Sequence, residues 1–386
     1  MIRYNVIGIM SGTSLDGLDI AYCEFVRKEK ENKWKHKIIY AETIKYDKRW
    51  REKLSKAFKQ KKNDPTAIGL KQLDKEYGKY IGNEILRFIR RKKISPHFIA
   101  SHGHTVFHQP EKKFTLQIGD GETIASVCKL PVVCNFRSGD IALGGQGAPL
   151  VPMADKLLFS EYDFCLNLGG ITNVSFTLPR PHTLTPLPKE RGEGSRVAFD
   201  ICPVNIVLNG LANKLGKEFD KGGKLASKGT INNTLLKKLN LLSFYKTKPP
   251  KSLGREWVEK KFMPVLNTFN ISVQDKLRTT VEHIALQIST SINSKLQTPN
   301  PKLIITGGGA YNDFLIKRIS FHAQCKTILP DDKTIQFKEA MAFAFLGVLK
   351  MRGEINILKS VTGAKRNSSG GKIYFANQNA GSSPKN

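Results

Sequence analysis

The stretch Ile7-Gly8-Ile9-Met10-Ser11-Gly12-Thr13-Ser14-Leu15-Asp16-Gly17-Leu18-Asp19-Ile20-Ala21 decides how the chain is read. Val6 to Met10 is a short apolar run that ends in Ser11-Gly12-Thr13, and Leu18 to Phe25 resumes a strand-like pattern. Two such runs around a Gly-containing connection read as a β-hairpin. The design recurs at Phe164-Cys165-Leu166-Asn167-Leu168-Gly169-Gly170-Ile171-Thr172-Asn173-Val174-Ser175-Phe176. A third Gly turn, Leu303-Ile304-Ile305-Thr306-Gly307-Gly308-Gly309-Ala310, leads from a strand into a helix expected to start near Asn312. Between these units, residues 66–93 carry apolar positions at helical spacing, followed by the strand Phe98-Ile99-Ala100. Alternating strands and helices predict an α/β protein, and the repeated hairpin predicts two similar lobes facing one ligand.

Composition narrows the classes. A chain of 386 residues with 40% hydrophobic content has room for two or three lobes with sizeable cores. No run approaches the ~20 apolar residues needed to span a bilayer, and Met1-Ile2-Arg3-Tyr4-Asn5-Val6-Ile7 enters a strand directly, so neither a membrane nor a secretory leader is expected. The six cysteines lack C-x-x-C pairing and read as reduced cytoplasmic thiols. The formal charge of +29 suits a polyanion partner. Its lysines are dispersed, however, and no RNA-binding aromatic motif, zinc knuckle or helix-turn-helix pattern accompanies them, so no nucleic-acid partner is expected.

The chemistry concentrates in the Gly turns. In Gly12-Thr13-Ser14-Leu15-Asp16-Gly17-Leu18-Asp19 the glycines let amides close on phosphate oxygens, and Thr13 and Ser14 add hydroxyls. Asp16 and Asp19 oppose bare phosphates but suit a Mg²⁺ ion held between carboxylate and phosphate. The spacing is neither a Walker A loop nor a Rossmann fingerprint, and a tight hairpin with Asx-turn chemistry is the plainer alternative. Gly169-Gly170-Ile171-Thr172-Asn173 reads as a second phosphate loop, and Thr306 to Ala310 as a nucleoside contact.

The runs IGIMSGTSLDGLDIA, TLQIGDGETIA, GGQGAPLVPMAD, LNLGGITNVSF and ITGGGAYNDFL, in this order, resemble the signature segments of the anhydro-N-acetylmuramic acid kinase family, from about residue 4 to 364. The resemblance implies a two-lobed actin/hexokinase-like (ribonuclease H-like) ATPase fold with its site in the interlobe cleft. It implies a cytoplasmic, homodimeric enzyme of peptidoglycan recycling that uses ATP and Mg²⁺ to open 1,6-anhydro-N-acetylmuramic acid and phosphorylate it. Lobe I is then residues 1–158 joined by the helical segment at about 341–364, and lobe II residues 159–340. Residues 177–196, with four prolines and two glycines, form an inserted exposed loop, and 365–386 a disordered tail.

Carried onto this sequence, the resemblance implies ATP contacts at Gly12, Thr13, Ser14, Leu15, Asp16, Gly17, Leu18 and Asp19. Further ATP contacts fall at Gly169, Gly170, Thr172, Asn173, Gly307, Gly308, Gly309 and Asn312. The catalytic base falls on Asp200 of Phe199-Asp200-Ile201-Cys202-Pro203-Val204-Asn205, where an Asp before a helix is otherwise an N-cap. Sugar contacts fall on Arg137, Asp140, Gln146, Glu339 and His104. Arg137 suits the lactyl carboxylate of a muramic sugar or, alternatively, a surface ion pair, and Glu339 suits the sugar site or a plain helix position. Asn135 stands where many relatives carry Asp, and Ile201-Cys202 and Val204 replace Thr-Gly and Gly. The imidazoles of His102, His104 and His108 suggest zinc only weakly, for want of a fourth ligand. The rival functions are another actin-like sugar kinase or polyphosphate phosphatase, and a non-catalytic nucleotide- or polyanion-binding protein.

Overall fold

The computed structural model describes residues 1–12, 15–28, 33–57, 67–178, 195–249, 251–296 and 298–376. Thr13, Ser14, most of the expected insertion (179–194) and residues 377–386 lie outside the described residues. The chain forms two compact units, Met1–Leu158 with Phe337–Asn386, and Phe159–Gln336. Residues 337–340, expected with the second lobe, group with the first.

In the first unit β1 (Ile2–Ser11), β2 (Gly17–Lys28) and β3 (Lys33–Lys45) form an antiparallel meander. β4 (Phe98–Gln109) then pairs parallel to β1, β5 (Phe114–Ile118) folds back antiparallel on β4, and β6 (Val132–Cys134) adds in parallel. β1 is central and buried on both faces from Val6 to Ile9, so it reads as a continuous apolar run. β3 lies at the edge and alternates, as a half-solvated strand does. Parallel pairing needs helical crossovers, supplied between β3 and β4 by the helices Lys48–Ala57 and Ala67–Lys92 and before β6 by Gly121–Cys128. The strand expected over 98–100 runs on to Gln109, which puts His102 and His104 inside the sheet.

The second unit repeats this plan. β7 (Phe164–Leu168), β8 (Ile171–Thr177) and β9 (Arg196–Pro203) are antiparallel, and β10 (Lys302–Thr306) and β11 (Lys326–Ile328) continue in parallel beyond β7. The order β11-β10-β7-β8-β9 matches β6-β4-β1-β2-β3 of the first sheet. This doubled strand order agrees with the ribonuclease H-like ATPase fold that the resemblance implies. Thr177 pairs with Arg196 at the end of the β8–β9 ladder. The core rests on the helix Val273–Asn293, whose Leu277, Val281, Ile284, Ala285, Ile288 and Ile292 are buried at spacings of three and four.

The helix Asp332–Met351 covers the first sheet at close range. A Cβ on Gly8 of β1 would lie 2.0 Å from the Ala340 carbonyl oxygen, and one on Gly347 would lie 2.7 Å from Ala100 Cβ. Glycine at position 8 brings backbone against backbone, and at 347 it makes room for the Ala100 methyl. The tail expected to fray from about residue 365 is instead ordered to residue 376. β12 (Lys372–Tyr374) pairs antiparallel with β6. Asn356 ties this segment down: its amide donates to the carbonyls of Leu346 and Gly370, both at 3.0 Å, and accepts from Gly370 N–H at 2.7 Å.

Candidate active site

In the first unit the turn between β1 and β2 carries the expected phosphate loop. Leu15 sits at φ 60°, and its N–H reaches the Gly12 carbonyl at 3.4 Å. Gly17 is demanded by β3, since a Cβ there would lie 2.6 Å from the Ile44 carbonyl oxygen. Leu18 is fully buried, so its side chain belongs to the core and only its backbone is available to a nucleotide. Asp16 is exposed and Asp19 partly so. The Thr43 hydroxyl, opposite Asp19 across the β2–β3 ladder, donates to its Oδ1 at 2.6 Å. Burial pushes the Asp19 carboxyl up to about 6 against that bond, with Glu339 and Asp16 adding like charge.

His104, expected at the sugar, is wholly buried beside the loop. Its Nδ1 bonds Ser11 Oγ at 3.0 Å, and Ser11 Oγ bonds Tyr46 Oη at 2.7 Å, which bonds Tyr77 Oη at 2.5 Å. This polar chain fixes the last residue of β1, next to Gly12.

Arg137 follows Phe136, which is buried against Phe343 with ring centroids 5.5 Å apart. Its Nε–H and Nη2 both point at His102 Nε2, at 3.0 and 2.9 Å, and Nη1 donates to the Gly147 carbonyl at 2.8 Å. Desolvation lowers the guanidinium to about 10, with Glu339 opposing the shift, so it stays cationic at neutral pH. Glu339 is not in the first turn of its helix but eight residues in. It is open to solvent by area yet crowded by protein, and burial raises its pKa against the pull of Lys338 and Arg137. Asn135 lies at φ 58°, a conformation that Asn tolerates, so this departure keeps the turn.

Asp140, expected at the sugar, is held by protein groups on both carboxylate oxygens. It is fully buried, and its Oδ2 accepts Gly147 N–H at 2.8 Å while Oδ1 accepts the Thr362 hydroxyl at 2.8 Å. Gly145 packs so close that a Cβ would meet Asp140 Oδ2 at 2.2 Å. Gln146 stays exposed, its backbone held by the Thr362 carbonyl at 2.8 Å.

In the second unit the β7–β8 turn supplies Gly169 and Gly170. Their carbonyls accept N–H groups from the start of the helix Asn205–Asn213: Asn205 to Gly169 at 3.2 Å, Val204 to Gly170 at 2.9 Å. Thr172 is fully buried, and Asn173 lies directly across the ladder from Asp200. The register slips between Thr172 and Asn173, which pair with Cys202 and Asp200. Ile201 is therefore the extra residue of a bulge, a device that re-aims side chains next to functional sites.

Asp200 lies within β9, not at a helix N-cap. Its N–H donates to the Lys251 carbonyl at 3.1 Å, and its Oδ2 accepts Leu253 N–H at 2.8 Å. Among the described residues Oδ1 has no protein partner. Burial pushes this carboxyl up to about 6 against the Leu253 bond. Nothing in the sequence marks the 251–253 segment, where Lys-Ser-Leu carries no motif.

The third turn has Gly307 at φ 85°, where a Cβ would lie 2.4 Å from Asn167 Oδ1. Gly309 presses on Leu168, Gly308 is exposed, and Asn205 Nδ2 donates to the Leu168 carbonyl at 3.2 Å. The β7–β8 turn and the Gly307–Gly309 turn are thus packed together. Asn312 is an N-cap: its Oδ1 accepts Leu315 N–H at 3.0 Å.

A family model described as anhydro-N-acetylmuramic acid kinase matches residues 4–376. Curated relatives of that same description are similar over their full length. One from Francisella tularensis subsp. novicida is 34% identical, covering 96% of this chain and 98% of the relative. One from Vibrio cholerae is 32% identical with the same coverage, 96% and 98%. One from Mannheimia succiniciproducens is 33% identical, covering 97% and 100%.

Proposed function

The chain belongs to the anhydro-N-acetylmuramic acid kinase family, and on that premise we propose that Asp200 is the general base of an ATP-dependent opening and phosphorylation of a 1,6-anhydro-muramic sugar. The chain is accordingly a sugar kinase that uses ATP and acts on a small-molecule substrate. Among the described residues no helix is long and apolar enough to cross a membrane.

The observation that carries the reading of Asp200 is its asymmetric carboxylate. Oδ2 is pinned by Leu253 N–H at 2.8 Å, and Oδ1 is left to take a proton. A base works best when its pKa lies near the operating pH, and burial brings Asp200 from the usual carboxylate range to about 6. In the reaction, Oδ1 accepts a proton from water as the water oxygen bonds C1 of the sugar. The C1–O6 bond breaks, and O6 bonds the γ-phosphorus as the bond to ADP breaks. Hydrolysis of a glycoside ordinarily needs a second carboxyl group to protonate the leaving oxygen. Here the phosphoryl group captures that oxygen, so one carboxylate suffices.

The remaining residues divide by what they bind. Arg137 retains two of its five N–H groups for the lactyl carboxylate, with Glu339 beside it for the sugar. Backbone amides at Gly12–Gly17 and Gly169–Gly170 would cradle phosphates, and the Gly307–Gly309 turn the nucleoside. Asp16 and Asp19 would suit a Mg²⁺ ion as hard oxygen donors; burial chiefly raises Asp19, and the smaller like-charge contribution of Glu339 and Asp16 is what a cation would relieve. When bound, Mg²⁺ supplies charge neutralisation on the phosphates.

Incubation with 1,6-anhydro-N-acetylmuramic acid and MgATP, read by mass spectrometry, tests the proposal. Equal amounts of ADP and N-acetylmuramic acid 6-phosphate are expected. Release of ADP without sugar phosphate rejects it.

A further inference from the structure

We propose that His102 is the positioning residue that sets the enzyme's selectivity for an acidic sugar, by clamping one edge of Arg137 and aiming the other edge outward. The proposal rests on the reading of Arg137 as the carboxylate contact.

The imidazole of His102 is buried and engaged at both nitrogens. Nδ1 lies 3.0 Å from the Gly103 carbonyl oxygen, an acceptor, so the proton must sit on Nδ1. Nε2 is then a lone-pair acceptor, and it faces the Nε–H and Nη2 edge of Arg137 at 3.0 and 2.9 Å. An imidazolium could not occupy this place, having no lone pair and carrying like charge. Burial and Arg137 together hold His102 well below its usual range, in keeping with that geometry.

A guanidinium has five N–H donors in a rigid plane. His102 takes one edge, and the Gly147 carbonyl takes one hydrogen of Nη1 at 2.8 Å. One hydrogen on each of Nη1 and Nη2 is left, both in the same plane, which is the donor pattern a carboxylate accepts as a fork. The clamp is itself immobilised. Phe343 lies against the imidazole with centroids 4.5 Å apart, on the helix that carries Glu339 one turn earlier. Gly147, the other clamp, is held by Asp140 at 2.8 Å. A neutral acceptor suits this task better than a carboxylate. An Asp or Glu at 102 would neutralise Arg137 and compete with the substrate's own carboxylate, whereas imidazole fixes the plane and leaves the charge unspent.

The test compares 1,6-anhydro-N-acetylmuramic acid with its lactyl primary amide, as substrates with saturating MgATP, in wild type, Arg137→Ala, His102→Ala and His102→Gln. Wild type should prefer the acid at least tenfold in kcat/KM. Arg137→Ala should erase the preference. His102→Ala should raise KM for the acid about tenfold or more, leave KM for the amide within about twofold and leave kcat nearly unchanged. His102→Gln, which restores a neutral acceptor, should recover part of the preference, and it serves alone if His102→Ala fails to fold. If Arg137→Ala erases the preference but both His102 variants keep it, the role of His102 is overturned and that of Arg137 stands. If His102→Ala weakens acid and amide equally, His102 is merely structural and the proposal also fails. If Arg137→Ala keeps the preference, the underlying reading of Arg137 falls.

Discussion

The backbone N–H of Leu253 donates to Oδ2 of Asp200 at 2.8 Å, across 53 residues of sequence. This one bond both orients the carboxylate and opposes the rise in its pKa that burial causes. Activity that needs ionised Asp200 should therefore climb through about pH 6 and level off above. Replacing Leu253 by Pro deletes the donor, so the acid limb of the kcat profile should move to higher pH. Leu253→Ala, which keeps the N–H, should leave the limb in place. An unmoved limb in Leu253→Pro would remove this bond from the account.

The same burial makes Asp200 a stability liability. Its folded pKa of about 6 exceeds the unfolded value of 3.8, so the protonated form is favoured in the fold. Stability is then full below about pH 4, falls as pH rises towards 6 and stays reduced above. A rise of about two units corresponds to at most about 3 kcal/mol, and less here because the residue is partly exposed. Asp200→Asn should melt higher than wild type at pH 7.5, and the gap should close near pH 4. Calorimetry at the two pH values checks both sign and window.

Asp19 lies among like charges from Asp16 and Glu339. Its substitution by Asn should raise the Mg²⁺ concentration giving half-maximal rate by about tenfold or more, since ligand charge governs affinity at such sites. KM for the sugar should be unaffected. A titration of rate against Mg²⁺ reads this directly, and an unchanged midpoint would exclude Asp19 from the metal.

Asp140 is predicted to act through folding. Asp140→Ala strands the Gly147 N–H, at about 1–3 kcal/mol for a buried group left unsatisfied, and leaves the Thr362 hydroxyl to donate only to the Leu358 carbonyl, at 3.4 Å. The variant should lose several degrees of melting temperature. Because Gly147 also holds Arg137, KM for the sugar should rise while KM for ATP stays constant.

The sequence shows the local features plainly because local chemistry makes them. Gly17 and Gly307 announce turns, since no Cβ fits there, and the apolar runs beside them announce strands. The doubled β-hairpin was enough to indicate two similar lobes. Roles that depend on distant partners were not readable. His104 and Asp140 resemble surface ligands in sequence, yet burial turns one towards Ser11 and the other towards Thr362. Asn312 caps a helix where a nucleoside contact was expected. β12 is only Lys372–Tyr374 inside a polar, Gly-rich tail, too short to show a period. Lys251 and Leu253 carry no motif, and only the fold brings them to Asp200.

Turnover of Asp200→Asn tests the central claim most directly, because Asn retains an acceptor for Leu253 N–H but cannot take a proton from water. With nucleotide affinity measured alongside, ATP binding should stay within about twofold of wild type, and kcat for 1,6-anhydro-N-acetylmuramic acid should fall by about 10²–10⁴-fold, the usual contribution of a general base. A variant that turns over at the wild-type rate would contradict the assignment of Asp200.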